Sequence, residues 1–255
     1  MPLTLTPLHH IPLIRQGDNL ADIVVGSLRQ DQITLADGDI LVFAQKVISK
    51  AEGRAVNLAT VTPSQRAIEI AKQTEKDSRV VELILQESNE VLRTRVGAVI
   101  VEHKLGFVCA NAGIDHSNVA GVGDAVEEWV LLLPQNPDQS AKQMRDAVAS
   151  KTGTKIGILI IDSHGRAWRN GTVGVAIGIA GLPGMEDLRG KPDLFGYTLQ
   201  VTTVGVADEL AAAASLMMGQ AAEGTPVVHV RGFPYPMREA ALSELIRPKA
   251  QDLFR

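Results

Sequence analysis

The chain has 255 residues, 45% apolar and 21% charged, which is enough material for a full hydrophobic core and excludes a disordered or fibrous chain. Its net charge of -4 excludes wholesale electrostatic binding of nucleic acid, so an anionic ligand must meet a local cluster of positive charge. A single cysteine excludes an intrachain disulfide and fits a reducing, cytoplasmic location.

The chain opens with Pro2, Pro7, His9, His10 and Pro12, without the basic region and apolar core of a secretory signal. Residues 39–44 read as a buried strand, followed by a basic block, Gln45-Lys46-x-x-Ser49-Lys50-x-Glu52-Gly53-Arg54. Thr62 before Pro63 reads as a helix cap leading into residues 66–71. Residues 96–101 and 106–110 read as strands joined by a hairpin at His103-Lys104-Leu105, with Cys109 buried at the second strand's end. Asp138 is placed to cap a helix over 139–150 that stops at Gly153. Residues 155–161 form the clearest buried strand, and the glycine-rich stretch 165–196 reads as irregular. Within it the charge-free run 170–185, 16 residues with five glycines and a proline, is too short and broken to span a bilayer. Strands over 198–204 and 226–230 flank an alanine-rich helix, 207–218, stopped by Gly219. Trp129 and Trp168 read as core or pocket wall.

Strands and helices do not alternate strictly, so the predicted class is mixed α/β (α+β), with mixed sheets and packed helices, and not a plain Rossmann or P-loop fold. The expectation is a single unit over residues 1–255, as one domain or two interleaved subdomains. Gly184-Met-Glu-Asp-Leu-Arg-Gly-Lys191 imitates a P-loop, but five residues separate its glycines and Pro192 stands where a magnesium-binding hydroxyl is needed. Gly121-Val-Gly123 lacks the third glycine of a dinucleotide fingerprint. No His-x-x-x-His pair or Gly-x-Ser-x-Gly elbow is present.

Two blocks can carry chemistry, Cys109-Ala-Asn-Ala-Gly-Ile-Asp-His-Ser-Asn118 and Ile160-Ile-Asp-Ser-His-Gly-Arg-Ala-Trp-Arg169. Each sets one aspartate, Asp115 or Asp162, among small residues and hydrogen-bonding side chains, and two such carboxylates can share a divalent metal. Asp162 is read as leaving the apolar strand for a loop, with the Ser163 hydroxyl beside it and Arg166 and Arg169 following as phosphate forks. An Asx-rich surface loop at Asp115, a turn cap at Asp162 and a solvated turn at Lys46 and Lys50 remain open alternatives. His116 and His164 are either proton carriers or plain polar residues. Asp208 and Glu209 complement the dipole of their helix, unless close packing of its alanines points Glu209 at a metal.

The ordered blocks Pro12-x-x-x-x-Gly17-Asp18, the basic block, Ala110-Asn-Ala-Gly-Ile-Asp115-x-Ser117-Asn118, Leu133-Pro-x-x-Pro-Asp138-x-Ser140-Ala141, Asp162-x-x-Gly165-Arg-x-Trp-Arg169 and Ala207-Asp-Glu-Leu-Ala-Ala-Ala-Ala214 together resemble the coenzyme F420-0:L-glutamate ligase family. The resemblance runs from about residue 12 to residue 232. It implies a GTP-dependent ligase adding L-glutamate to F420-0, and often a second glutamate through a γ linkage. It further implies Mg2+ or Mn2+, K+, and a homodimer with an intertwined fold. On the matching motifs Asp115, Asp162, Ser163 and, more weakly, Glu209 are implied as metal ligands. Pro12, Leu13, Ile14, Arg15, Gln45, Lys50 and Asn118 are implied as the GTP site. The family's usual Asp-Thr-Phe-Gly-Arg stands here as Asp162-Ser-His-Gly-Arg166, which keeps a hydroxyl and replaces an aromatic wall by His164. Some members carry a fused C-terminal reductase domain, which is not expected here.

Lys50, Arg166 and Arg169 are the candidates for balancing the charge of phosphoryl transfer. The expected partners are F420-0, L-glutamate and GTP, with no nucleic acid and no membrane. The rival readings are a nucleotide-dependent ligase joining glutamate to another carboxylate, and a nucleotide-binding module without turnover.

Overall fold

The computed structural model of the chain describes residues 2–119 and 128–252. Gly121 and Gly123 lie outside them. In chain order the elements are β1 (Thr4–Pro7), α1 (Leu20–Gln30), β2 (Ile40–Ala44), α2 (Gln45–Ala51), β3 (Ala55–Asn57), α3 (Gln65–Thr74) and α4 (Ser78–Gln86). There follow β4 (Ser88–Arg95), β5 (Ala98–His103), β6 (Val108–Ala110), β7 (Trp129–Leu131), α5 (Pro137–Thr152), β8 (Gly157–Arg166) and β9 (Arg169–Ala180). β10 (Glu186–Asp187), β11 (Thr203–Val204), α6 (Val206–Met218) and β12 (Val227–Arg231) complete the set. The class is α+β, as the irregular alternation predicts.

The central sheet has the order β1-β12-β2-β8-β9. β2 and β8 run parallel, and the other neighbours are antiparallel. Alternation along β2 sends Leu41 and Phe43 to one face and Ile40 and Val42 to the other. Leu41 and Phe43, with Ile158 and Ile160 of β8, pack under α1 and α5. Ile40 and Val42, with Leu159 and Ile161, pack under Ala207, Leu210, Ala211 and Ala214 of α6. Each such fully buried side chain contributes roughly 1.5–3 kcal/mol of transfer free energy. A third apolar cluster joins α3 and α4 to the three-stranded sheet β4-β5-β6 and to the β3–β7 pair.

Several expectations are corrected. The stretch read as irregular from residue 165 contains the end of β8 and the whole of β9, joined in a hairpin. Its glycines misled because they serve close packing. A Cβ on Gly174 would lie 2.5 Å from the Ala211 carbonyl of α6, and one on Gly178 would lie 2.6 Å from Pro137 of α5. Ser64, not Thr62, caps α3, its Oγ accepting from the Ala67 amide. Asn136 caps α5, which frees Asp138 to accept from the amides of Ile179 and Leu242. Gly153 ends α5 in the left-handed region, as read. The 198–204 strand shrinks to Thr203–Val204. Of the basic block, Gln45–Ala51 is helix α2, so the solvated-turn alternative does not hold at Lys46 and Lys50. Trp168 is 86% exposed at the hairpin tip, not in the core. β1, α1, β3, α4, β4, β7 and β10 have no counterpart among the predicted elements. No described helix is long and apolar enough to cross a membrane.

Candidate functional site

The parallel pairing of β2 and β8 ends at Ala44 opposite Ile161. The next residue on each strand is therefore delivered to one edge, the crevice beyond the carboxyl ends of parallel strands where α/β sheets bind ligands. Those residues are Gln45, which opens α2, and Asp162. Asp162 does not enter a loop. It leaves β2 but stays in β8, paired with Val175 in the extended hairpin. The sheet gains no further apolar cover there, which is why the strand turns polar while its backbone remains paired.

Asp115 arrives from the other side. Its backbone exchanges both hydrogen bonds with Leu131, at 3.0 and 2.9 Å, after a tight turn with left-handed backbone at Asn111, Ala112 and Gly113. The Asn111 side chain holds that turn by accepting from the Val99 amide at 3.0 Å. Gln45 Nε2 donates to Asp115 Oδ2 at 2.8 Å, and Ser49 Oγ orients Gln45 by donating to its Oε1 at 2.8 Å. Lys46 Nζ lies 3.4 Å from Asp115 Oδ1 and donates to Ser117 Oγ at 2.8 Å. Lys50, one helical turn on, shares a face with Lys46 and has no acidic partner among the described residues.

Burial pushes the Asp115 carboxyl up to about 6, and the negative charge of Asp162 pushes the same way against the pull of Lys46. Asp162 thus lies near enough to Asp115 for its charge to act there. Burial, and then the charge of Lys46, hold Lys50 below the ordinary lysine range. An acid pair carrying surplus negative charge beside an unpaired, half-buried lysine suits a cation and an anion bound together. Among the described residues no three His, Cys, Asp or Glu side chains form a complete metal cage. Two hard carboxylates suit a magnesium- or manganese-type ion that takes its remaining ligands from water and substrate phosphates.

The other predicted residues distribute unevenly. Ser163 alternates to the opposite face of β8 from Asp162, and its Oγ donates to Gln220 Oε1 at 2.9 Å. Asn118 Nδ2 reaches the Ala221 carbonyl at 3.4 Å. The segment just after α6 thus borders the site, and Gln220 escaped sequence reasoning because nothing local marks it. α6 does pack against the sheet, but Glu209 stays on its exposed side. Asp208 is the acid that turns inward, accepting from the Ala176 amide at 2.9 Å. Burial raises its pKa. Pro12, Leu13, Ile14 and Arg15 form an irregular segment anchored by Ile14 in the core and tied near the end of α2 by the Gly17 amide on the Ala51 carbonyl. Arg166 and Arg169 face each other across the exposed hairpin tip, not a loop beside Asp162. At ~3.3 Å per strand residue, Arg166 stands roughly 13 Å beyond Asp162. Cys109 is buried, which lifts its thiol to about 12 and leaves it unreactive. His116 is exposed. His164 Nε2 lies 3.1 Å from Asp162 Oδ2.

Fold and site define a mixed-sheet α+β protein with an acid–lysine crevice at the end of its parallel strand pair. Sequence comparison is more specific. The family model described as F420-0:Gamma-glutamyl ligase matches residues 9–232, and the chain belongs to that family. It is 42% identical over 257 residues, all of both chains, to the coenzyme F420:L-glutamate ligase of Methanothermobacter thermautotrophicus. It is 42% identical to that of Methanocaldococcus jannaschii, over 96% of this chain and 94% of the relative. It is 43% identical to that of Archaeoglobus fulgidus, over 100% and 97%. The family resemblance of the six sequence blocks is borne out.

Proposed function

We propose that the chain is a GTP-dependent ligase that joins L-glutamate to coenzyme F420-0 and adds a second glutamate, by its amine, to the γ-carboxylate of the first. The observation that carries this reading is Asp115, held by Gln45 and Lys46 at the carboxyl ends of the β2–β8 pair where Asp162 and Lys50 also lie, in a chain alignable from end to end with coenzyme F420:L-glutamate ligases.

Amide formation between a carboxylate and an amine in water is uphill at neutral pH, so the acid must be activated. A carboxylate oxygen of F420-0 attacks the γ-phosphorus of GTP, the bond to the β-phosphate oxygen breaks, and GDP leaves. The glutamate amine then attacks the acyl carbon, loses a proton, and expels inorganic phosphate. Magnesium or manganese bound at Asp115 and Asp162 supplies charge neutralisation for the phosphates. Gln45 fixes Asp115, while Lys46 restrains it and ties down Ser117. Lys50 supplies the point charge for a phosphate oxygen, favoured because no acid competes for it among the described residues. Residues 12–15, Gln45 and Asn118 contact the nucleotide in this reading, and K+ assists it. Ser163, on the opposite face of β8, and Glu209, on the exposed side of α6, join the metal set only through a rearrangement or a second subunit. Arg166 and Arg169 need a hairpin movement or a second subunit to reach the phosphates.

A homodimer belongs to the same reading. It is supported by the arm between β10 and β11, where Leu194 is 98% and Phe195 95% exposed, unusual for apolar side chains on an isolated subunit. The protein is read as a soluble, cytoplasmic enzyme. The test is mass spectrometry of F420-0 incubated with the protein, L-glutamate, GTP, Mg2+ or Mn2+, and K+. One or two added glutamates, with GDP and phosphate formed in step, are expected. No mass gain, or gain without GTP, overturns the reading. A sedimentation mass of one chain overturns the dimer.

A further inference from the structure

Asp162 has a partner that the reaction scheme does not use. His164 lies two residues on along β8, so both side chains leave the same face of the strand. The Nε2–Oδ2 distance is 3.1 Å, and only 11% of the histidine side chain and 12% of the aspartate are exposed. An ionised carboxylate can only accept, so Nε2 carries the proton and donates. The ring is held from behind. Its centroid lies 5.1 Å from that of Phe107, which in turn stacks on buried His103 at 5.2 Å and 8°. Asp162 Oδ1 has no hydrogen-bond partner among the described residues, so the contact occupies one oxygen and leaves the other open.

We propose that His164 is a positioning residue that locks the Asp162 carboxylate in the orientation in which it presents Oδ1 to a divalent cation. This rests on the reading of Asp162 as a metal ligand given above. A carboxylate on a strand otherwise rotates about two side-chain bonds, and a fixed hydrogen bond removes that freedom before the ion arrives. Partners of this kind, one shell out from a metal ligand, change metal affinity by roughly 10–100-fold when removed. His164 thus does through a hydrogen bond what an aromatic ring at this position cannot.

The test is Mn2+ binding to the full chain, measured as free Mn2+ by electron paramagnetic resonance, with melting temperature recorded in parallel. His164→Phe keeps a ring against Phe107 and removes the donor, and a ~10-fold or greater loss of affinity is expected. His164→Gln loses the ring but keeps a donor near the Nε2 position, and it should bind within about threefold of wild type, a split that a purely structural role would not produce. Wild-type affinity in His164→Phe, or equal losses in both variants, overturns the proposal. Asp162→Asn separates the two levels: if it binds Mn2+ like wild type, or if wild type binds none, the metal reading itself fails.

Discussion

Asp115 and His103 show what burial does to single ionisable groups here. Asp115 is raised to about 6 by burial, against the pull of its partners Lys46 and Gln45. If Asp162 holds the cation proposed above, Asp162→Asn should lower glutamate addition at least ~100-fold while the melting temperature stays within a few degrees, because a charged oxygen ligand for that cation is lost. Near-normal turnover would remove Asp162 from the reacting centre. His103 is held down to about 4, first by burial and then by the positive charges of His164, Arg54 and Lys104. Its Nδ1 accepts from the Leu105 amide, and its buried Nε2 lies 4.0 Å from Glu87, too far for a hydrogen bond. In the unfolded chain this histidine binds a proton near pH 6.5, and in the folded protein it does not. Stability from this group is therefore fully present above about 6.5 and falls by ~1.4 kcal/mol per pH unit down to about 4. Urea unfolding of wild type and His103→Gln at pH 7.5 and 5 isolates this contribution. Parallel losses in the two proteins would refute it.

At the scale of elements, the contact between α6 and β9 governs how the segment after α6 sits beside β8. The helix approaches its strand backbone so closely that Gly174 admits no side chain. Gly174→Val places carbon on the Ala211 carbonyl and the Ser215 Cβ, and should cost about 1–3 kcal/mol through displacement of the helix. An unchanged urea midpoint would show that the helix yields without cost. Gln220 follows that helix and bonds both Ser163 and Ser215, so displacement should also loosen the border of the site. The same packing explains the glycine-rich composition of β9, which a reading by strand propensity alone takes for loop.

Across the whole molecule, one buried ion cluster ties the start of β2 to the end of β12. Asp39, 2% exposed, accepts from His229 Nε2 at 2.8 Å and from Arg231 at 2.6 and 2.9 Å, and Arg231 also donates to the Thr34 carbonyl. Burial alone would raise this carboxyl, but the hydrogen bonds from Arg231 and His229 outweigh it and hold it below the ordinary aspartate range. A depressed acid stabilises the fold above its unfolded pKa of about 4 and loses that stabilisation as pH falls through the folded value. Asp39→Ala should cost roughly 3–5 kcal/mol near neutrality, because Arg231 and His229 are left without their acceptor. The gap from wild type should close below about pH 4. A gap unchanged between pH 7 and 3 would show that the loss is one of packing, not charge.

What the chain's order of residues determined by itself was local or pattern-bound. The strands β2, β8 and β12 and the helices α5 and α6 were legible because apolar runs and terminal glycines act within a few residues of one another. The six blocks that mark the family were legible for the same reason, and among them stood Asp115 and Asp162. Tertiary structure alone decided which predicted groups meet. The parallel pairing of β2 with β8 brings Gln45 and Asp162 to one edge, and the backbone bridge of Asp115 to Leu131 carries the second acid there. It also turned Asp208 inward and left Glu209 outside, and carried Arg166 and Arg169 out along a hairpin. Adjacent acids on a helix, or arginines near an aspartate in sequence, cannot be sorted by composition. Their direction is set by how the apolar faces of distant elements close on each other, and that depends on the burial of residues such as Phe43 and Ile160, not on the charged groups themselves.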